Sequence, residues 1–168
     1  LYQAGCFSEF EFFKNIHQLF QRHFHNYGRF NLSVADSSFD TWLDGYQKGI
    51  PNRKTSIYNE GALLAMMLDL SLLKDTDNKG GILTVMRLLY DRFAEAGKGY
   101  TEADYQGAVE EVGGRSYADF FKNYYYGTKD IEEELTELLS HVGLQINNIR
   151  SRLYFENRFG FKVEYIQG

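Results

Sequence analysis

A chain of 168 residues suffices for one domain with a buried core, and a hydrophobic share of 43% is ordinary for a globular protein. The net charge of −5, with both signs mixed along the chain, argues against nucleic-acid binding, which needs a basic stripe, and no apolar run approaches the roughly 20 residues that span a bilayer. The single cysteine, Cys6, excludes an internal disulfide and a Cys-based zinc site.

The start, Leu1-Tyr2-Gln3-Ala4-Gly5, shows neither an initiating Met nor a charged stretch before an apolar one. No signal peptide is visible, and this start reads as a cut made inside a longer gene. Ser8-Glu9-Phe10-Glu11 then sets a hydroxyl three residues before a carboxylate, the pattern of a reciprocal helix cap. Phe12, Phe13, Ile16, Leu19, Phe20 and Phe24 follow at helical spacing, and Asn26-Tyr27-Gly28 stops the helix. Residues 29–37 read as a loop. A short helix from about Phe39 to Tyr46 carries Trp42, and Gln47 to Asn52 is a loop closed by breakers around Pro51, the one proline of the chain.

The next helix, from about Ser56 to Leu73, is apolar on every side between Gly61 and Leu68, which predicts burial all round. Tyr58 stands in its first turn, with Gly61-Ala62 one turn later. A phenol fixed there can donate its O–H to an oxygen that becomes negative in a transition state. The competing reading is a packed helix-start tyrosine with its hydroxyl in water.

Asp75 to Gly81 reads as a turn. Its alternating Asp75, Asp77 and Asn78 lack the closing glutamate of a calcium loop. Ile82, Val85, Met86, Leu89 and Phe93 restore the helical spacing as far as Gly97. Thr101 opens a further helix to Val112, stopped by Gly113-Gly114. Segments from Ser116 to Tyr125 and from Asp130 to His141 complete six or seven helices, each opened by a capping residue. After Gly143 the composition turns β-branched and aromatic, which predicts a short β tail over 146–168 with strands at Arg152–Glu156 and Phe159–Ile166.

None of the four histidines, His17, His23, His25 and His141, has the i, i+4 spacing by which two imidazoles share a metal, so all read as structural or solvent-exposed. Tyr124-Tyr125-Tyr126 reads as half-buried packing. The run Asp130 to Glu134 reads as a solvated helix start. The high aromatic share of 17% raises a carbohydrate-binding reading, which the core-like spacing of those aromatics disfavours.

Several pieces resemble, in order, the C-terminal helical part of glycyl aminopeptidase-type zinc metallopeptidases. They are Ser38-Phe39-Asp40-Thr41-Trp42, Asn52 to Ser56 leading into Tyr58-x-x-Gly61-Ala62, Tyr100 to Tyr105, Glu110 to Ser116, and Asp119-Phe120-Phe121 leading to Tyr126-Gly127-Thr128. Together they cover roughly residues 5 to 145. The resemblance implies an all-α fold, a helical bundle subdomain of a thermolysin-like catalytic domain, over residues 1–145. It implies that Arg158 to Val163 is the opening strand and carboxylate-binding turn of a PDZ-like domain cut short, with 146–168 as its start.

The resemblance further implies zinc in the parent protein, held by an H-E-x-x-H helix and a downstream glutamate. No H-E-x-x-H occurs in these 168 residues, so those ligands would lie upstream and the fragment alone would be inactive and metal-free. Tyr58 matches the tyrosine credited in the wider clan with stabilising the tetrahedral intermediate, within a Tyr-x-Lys-Gly-Ala motif in which this sequence carries Glu60 where lysine is usual. Tyr126 and Gly127 match positions near the substrate cleft. The implied partners are a peptide substrate and the upstream zinc-binding subdomain of the same chain, with self-association of the fragment through the face so exposed. The implied setting is bacterial, leaning extracytoplasmic. A non-catalytic helical module that binds peptides or proteins is the alternative.

Overall fold

In a computed structural model, which describes residues 5–44, 50, 52–150, 152 and 158–161, helix α1 (Glu9–Phe24) starts at the expected cap. Ser8 Oγ accepts from the Glu11 amide at 3.3 Å, and the Glu11 carboxylate accepts from the Ser8 amide at 2.9 Å. These bonds hold the Glu11 carboxyl below the usual glutamate range. After α1, Tyr27–Phe30 forms one tight 3₁₀ turn. Arg29 reaches back from it and donates to the carbonyls of His23, Phe24 and Asn26 at 3.1–3.3 Å, satisfying acceptors that a helix end leaves open.

Helix α2 (Val34–Asp44) begins inside the stretch expected to be a loop. Ser33 explains the difference: its hydroxyl accepts from the Asp36 amide at 3.0 Å and donates to the Asp36 carboxylate at 2.7 Å. A Ser-x-x-Asp cap therefore stands ahead of the apolar positions that marked the helix in the sequence.

Helix α3 (Ile57–Asp75) is the hub, packing against α1 and α2 on the N-terminal side. Its other neighbours are α4 (Ile82–Leu89), α5 (Glu102–Gly113) and α7 (Glu132–His141). Leu63, Leu64, Met67, Leu68 and Leu72 of α3 meet Val85, Val109, Leu135 and Leu138 in the core. Burial on every side is not what the structure shows. Ala62 is exposed, and Ala65, Met66 and Asp69 are only partly buried. Five neighbouring helices cover one broad face of α3 and leave the stripe that begins at Tyr58 exposed or only partly buried, so an all-apolar composition overstated the burial.

The turn after α3 forms as expected. Asp77 and Asn78 adopt left-handed backbone angles, φ 50° and 62°, and Thr76 Oγ1 donates to the Leu72 carbonyl and accepts from the Gly80 amide. Asp69 of α3 caps α4 by accepting from the Ile82 amide at 2.7 Å. Two wide π turns interrupt the later helices, at Tyr90–Ala94 after α4 and at Phe121–Tyr125 after the single-turn helix α6 (Ala118–Phe120). Gly114, at φ 68°, ends α5 in the left-handed region that glycine adopts without a steric cost.

Among the described residues the chain is helical and contains no strand. The expected β tail falls mostly on 151, 153–157 and 162–168, which lie outside the described residues.

Candidate functional site

The entry to α3 is pinned from both sides. Thr55 is buried; its amide donates to Ser37 Oγ of α2 at 3.3 Å, and its hydroxyl accepts from Asn26 at 3.4 Å. Gly28 presses on the Lys54 carbonyl so closely that a Cβ would lie 2.3 Å from its oxygen. Ser56 then caps α3, accepting from the Asn59 amide at 3.4 Å. Tyr58, the second residue of the helix, leaves this anchored turn 67% exposed. A fixed backbone beneath an outward phenol is the arrangement a hydrogen-bond donor to an incoming ligand requires.

Two residues on, Glu60 turns the other way. It is 5% exposed and both its carboxylate oxygens lie against Nδ1 of His23, at 2.8 and 2.7 Å. His23, in the last turn of α1, is 2% exposed and is the one fully buried residue of that helix. Hydrogen bonding to a carboxylate acceptor uses the ring tautomer that carries its N–H at Nδ1. Nε2 is buried without a hydrogen-bond partner. Removing one member of such a pair strands the other and costs about 3–5 kcal/mol.

Sequence reasoning placed His23 among the structural or exposed residues and noted Glu60 only as a departure from lysine. The pairing across 37 residues was beyond its reach. The available signal was a carboxylate on an otherwise apolar helix, which needs a partner if it is buried. The other three histidines are exposed.

The three adjacent tyrosines face three surroundings. Tyr124 is buried beside a small cavity of about 20 Å³, room for a single water, whose walls also include His23, Glu60 and Gly127. Burial pushes its phenol up from the ordinary value. Tyr125 lies tilted against Phe121, ring centres 5.0 Å apart, and shares a hydrogen bond with Tyr105, with burial raising both phenols. Tyr126 is exposed and donates to Glu102 of α5 at 2.9 Å, a bond that, ahead of burial, raises its phenol too.

Consecutive helical residues point about 100° apart in any case, and here a π turn alters their register. The Tyr126 amide bonds to the Phe121 carbonyl five residues back, at 3.0 Å, which rotates each side chain away from ordinary helical register. Of the residues expected near a substrate, Gly127 thus lies by the first turn of α3, and the phenol of Tyr126 is engaged by α5. A Cβ on Gly127 would sit 2.6 Å from the Asn123 carbonyl oxygen, so the preceding turn already demands glycine there.

Among the described residues, no three His, Cys, Asp or Glu side chains stand together as a metal-holding group. No helix among them is long and apolar enough to cross a membrane.

Comparison with known families bears on this same region. The model of the M61 glycyl aminopeptidase family matches residues 1–64, which spans α1, α2, the pinned entry and Tyr58. Over those residues the chain is similar to the M61 glycyl aminopeptidase family. No curated protein and no solved structure matches the chain. The M61 match reaches four residues past Glu60 and so contains both members of the buried pair. It supports a peptidase-related function for the parent protein.

Proposed function

We propose that this chain is the helical part of a zinc-dependent metallo-aminopeptidase, and that Tyr58 donates its hydroxyl to the oxyanion formed when the N-terminal peptide bond is hydrolysed. The supporting observation is the position of Tyr58 within the M61-matched stretch: exposed, on the first turn of a helix whose entry is bonded to two other elements. The zinc of such an enzyme polarises the scissile carbonyl and supplies an activated water. Among the described residues no donor set for it stands together, and in this reading its ligands would lie upstream of Leu1.

The work of this chain is then to hold a phenol where the carbonyl oxygen gains charge. A donor aimed there stabilises the transition state more than the ground state, and so acts on kcat. The open stripe of α3 and the apolar face of α2, with Phe39, Trp42 and Leu43 exposed, fit a surface that the upstream zinc-binding subdomain covers. Gly127 and Tyr126 stand as cleft candidates on the resemblance alone: Gly127 lines the cavity on the Glu60 side of α3, and the Tyr126 phenol is engaged by Glu102.

In the full-length protein, Tyr58→Phe is expected to lower kcat about a hundredfold to a thousandfold while KM changes little. Steady-state kinetics on an N-terminal glycyl or alanyl substrate measures both. An unchanged kcat removes Tyr58 from the mechanism.

The exposed α2 face also favours a second reading, a non-catalytic module that binds peptides or other proteins. The coding sequence just upstream of Leu1 separates the two. An H-E-x-x-H with a later glutamate supports the peptidase, and its absence leaves the binding module.

A further inference from the structure

We infer that His23 and Glu60 are positioning residues for Tyr58: their buried bond sets the rotation of the first turn of α3 and so the direction in which the phenol faces. This rests on the reading of Tyr58 as the oxyanion donor. At 3.6 residues per turn, positions 58 and 60 stand about 200° apart around the helix. A carboxylate held inward at Glu60 therefore holds Tyr58 outward, as their exposures of 5% and 67% show.

The other buried residues of this helix would not set that angle as firmly. They are Leu63, Leu64, Met67, Leu68, Ser71 and Leu72, and all lie after the first turn. Five of the six are apolar, and apolar packing has no preferred direction. The Glu60 carboxylate, by contrast, meets one ring nitrogen with both oxygens at 2.7 and 2.8 Å. A hydrogen bond is directional and weakens steeply off its axis.

The two residues also belong together chemically. The Glu60 carboxylate offers two acceptor oxygens to the one ring nitrogen of His23. The pair ties the last turn of α1 to the first turn of α3.

A double-mutant cycle in the full-length enzyme tests this. Glu60→Gln is expected to lower kcat about tenfold to a hundredfold with KM nearly unchanged, the scale of a misplaced catalytic group. In a Tyr58→Phe background the same substitution should change kcat less than about twofold, because the group it positions is gone. Amide hydrogen exchange over residues 57–63 should rise in Glu60→Gln in either background.

If Glu60→Gln costs the same factor in both backgrounds, or leaves exchange over 57–63 unchanged, the positioning role is wrong. If Tyr58→Phe itself leaves kcat intact, the oxyanion reading fails and this inference falls with it. Where Glu60→Gln does not fold, His23→Gln, which keeps an N–H donor near Glu60, carries the same cycle with the same expected dependence on Tyr58.

Discussion

Leu64, Met67 and Leu68 on α3 and Phe39, Trp42 and Leu43 on α2 share one spacing, i, i+3, i+4, and meet opposite surroundings. The α3 set is buried in a core closed by α4, α5 and α7, whereas Phe39 is 71%, Trp42 80% and Leu43 70% exposed. Spacing identifies an apolar stripe, but not the surface that covers it. The helices after α3 cover its core stripe, whereas α2 leaves its stripe in water, as α4 does with Leu83 and Met86. Contiguous exposed apolar groups of that kind mark a surface that meets other protein.

The largest stability effect should come from the closed side. Leu68→Ala removes a fully buried side chain among close-packed neighbours and is expected to destabilise the chain by about 2–5 kcal/mol. Denaturant melts of the 168-residue chain measure it. A loss under about 1 kcal/mol would mean that the core repacks freely around α3, and the contrast with α2 would lose its basis.

Much of the local structure was legible in advance. The caps at Ser8 and Thr101, the stop at Gly114 and the turn after Asp75 were all read from local chemistry, because each is settled within three or four residues. The start of α2 was missed although Ser33 and Asp36 carry the same kind of cap, since apolar spacing was weighed ahead of it. What crosses between elements was not legible. The partner of Glu60 lies 37 residues away, and whether a stripe on α3 or α2 is covered depends on where other helices end. The surroundings of Tyr124, Tyr125 and Tyr126 were equally hidden, because they depend on which other elements pack on each side of that turn.

A smaller effect sharpens the same comparison through pH. Tyr117 sits at the far edge of the core, donating to Asp75 at 2.7 Å with the Arg115 guanidinium 4.3 Å above its ring. Burial, and then the bond to Asp75, pushes its phenol up to about 12 from an ordinary 10. The folded state thus favours the neutral form. Its stabilisation is complete below pH 10 and is lost as the pH rises toward about 12. Tm should fall across that window, with tyrosinate absorbance appearing late in it. Tyr117→Phe should fall less steeply there, although Tyr105, raised in the same direction by burial, keeps part of the slope. Identical slopes for the two proteins would show that Tyr117 contributes nothing to alkaline unfolding.

The smallest effect belongs to the open face. Trp42→Ser replaces the largest apolar side chain of the sequence, yet at 80% exposure it leaves no cavity and strands no polar group. The change in unfolding free energy of the isolated chain should stay within about 0.5 kcal/mol. Self-association through this face, where sedimentation detects it, should weaken in the same variant. In the full-length protein the substitution should cost more than in the isolated chain, because there an upstream subdomain would cover the indole. The difference between the two measurements is the quantity that matters: it isolates burial supplied from outside these 168 residues. An equal and negligible cost in both would mean that nothing in the parent protein covers α2, which would favour the binding-module reading over a cleft wall. A large cost already in the isolated chain would mean that Trp42 packs within it, and that the two stripes differ less than their exposures imply.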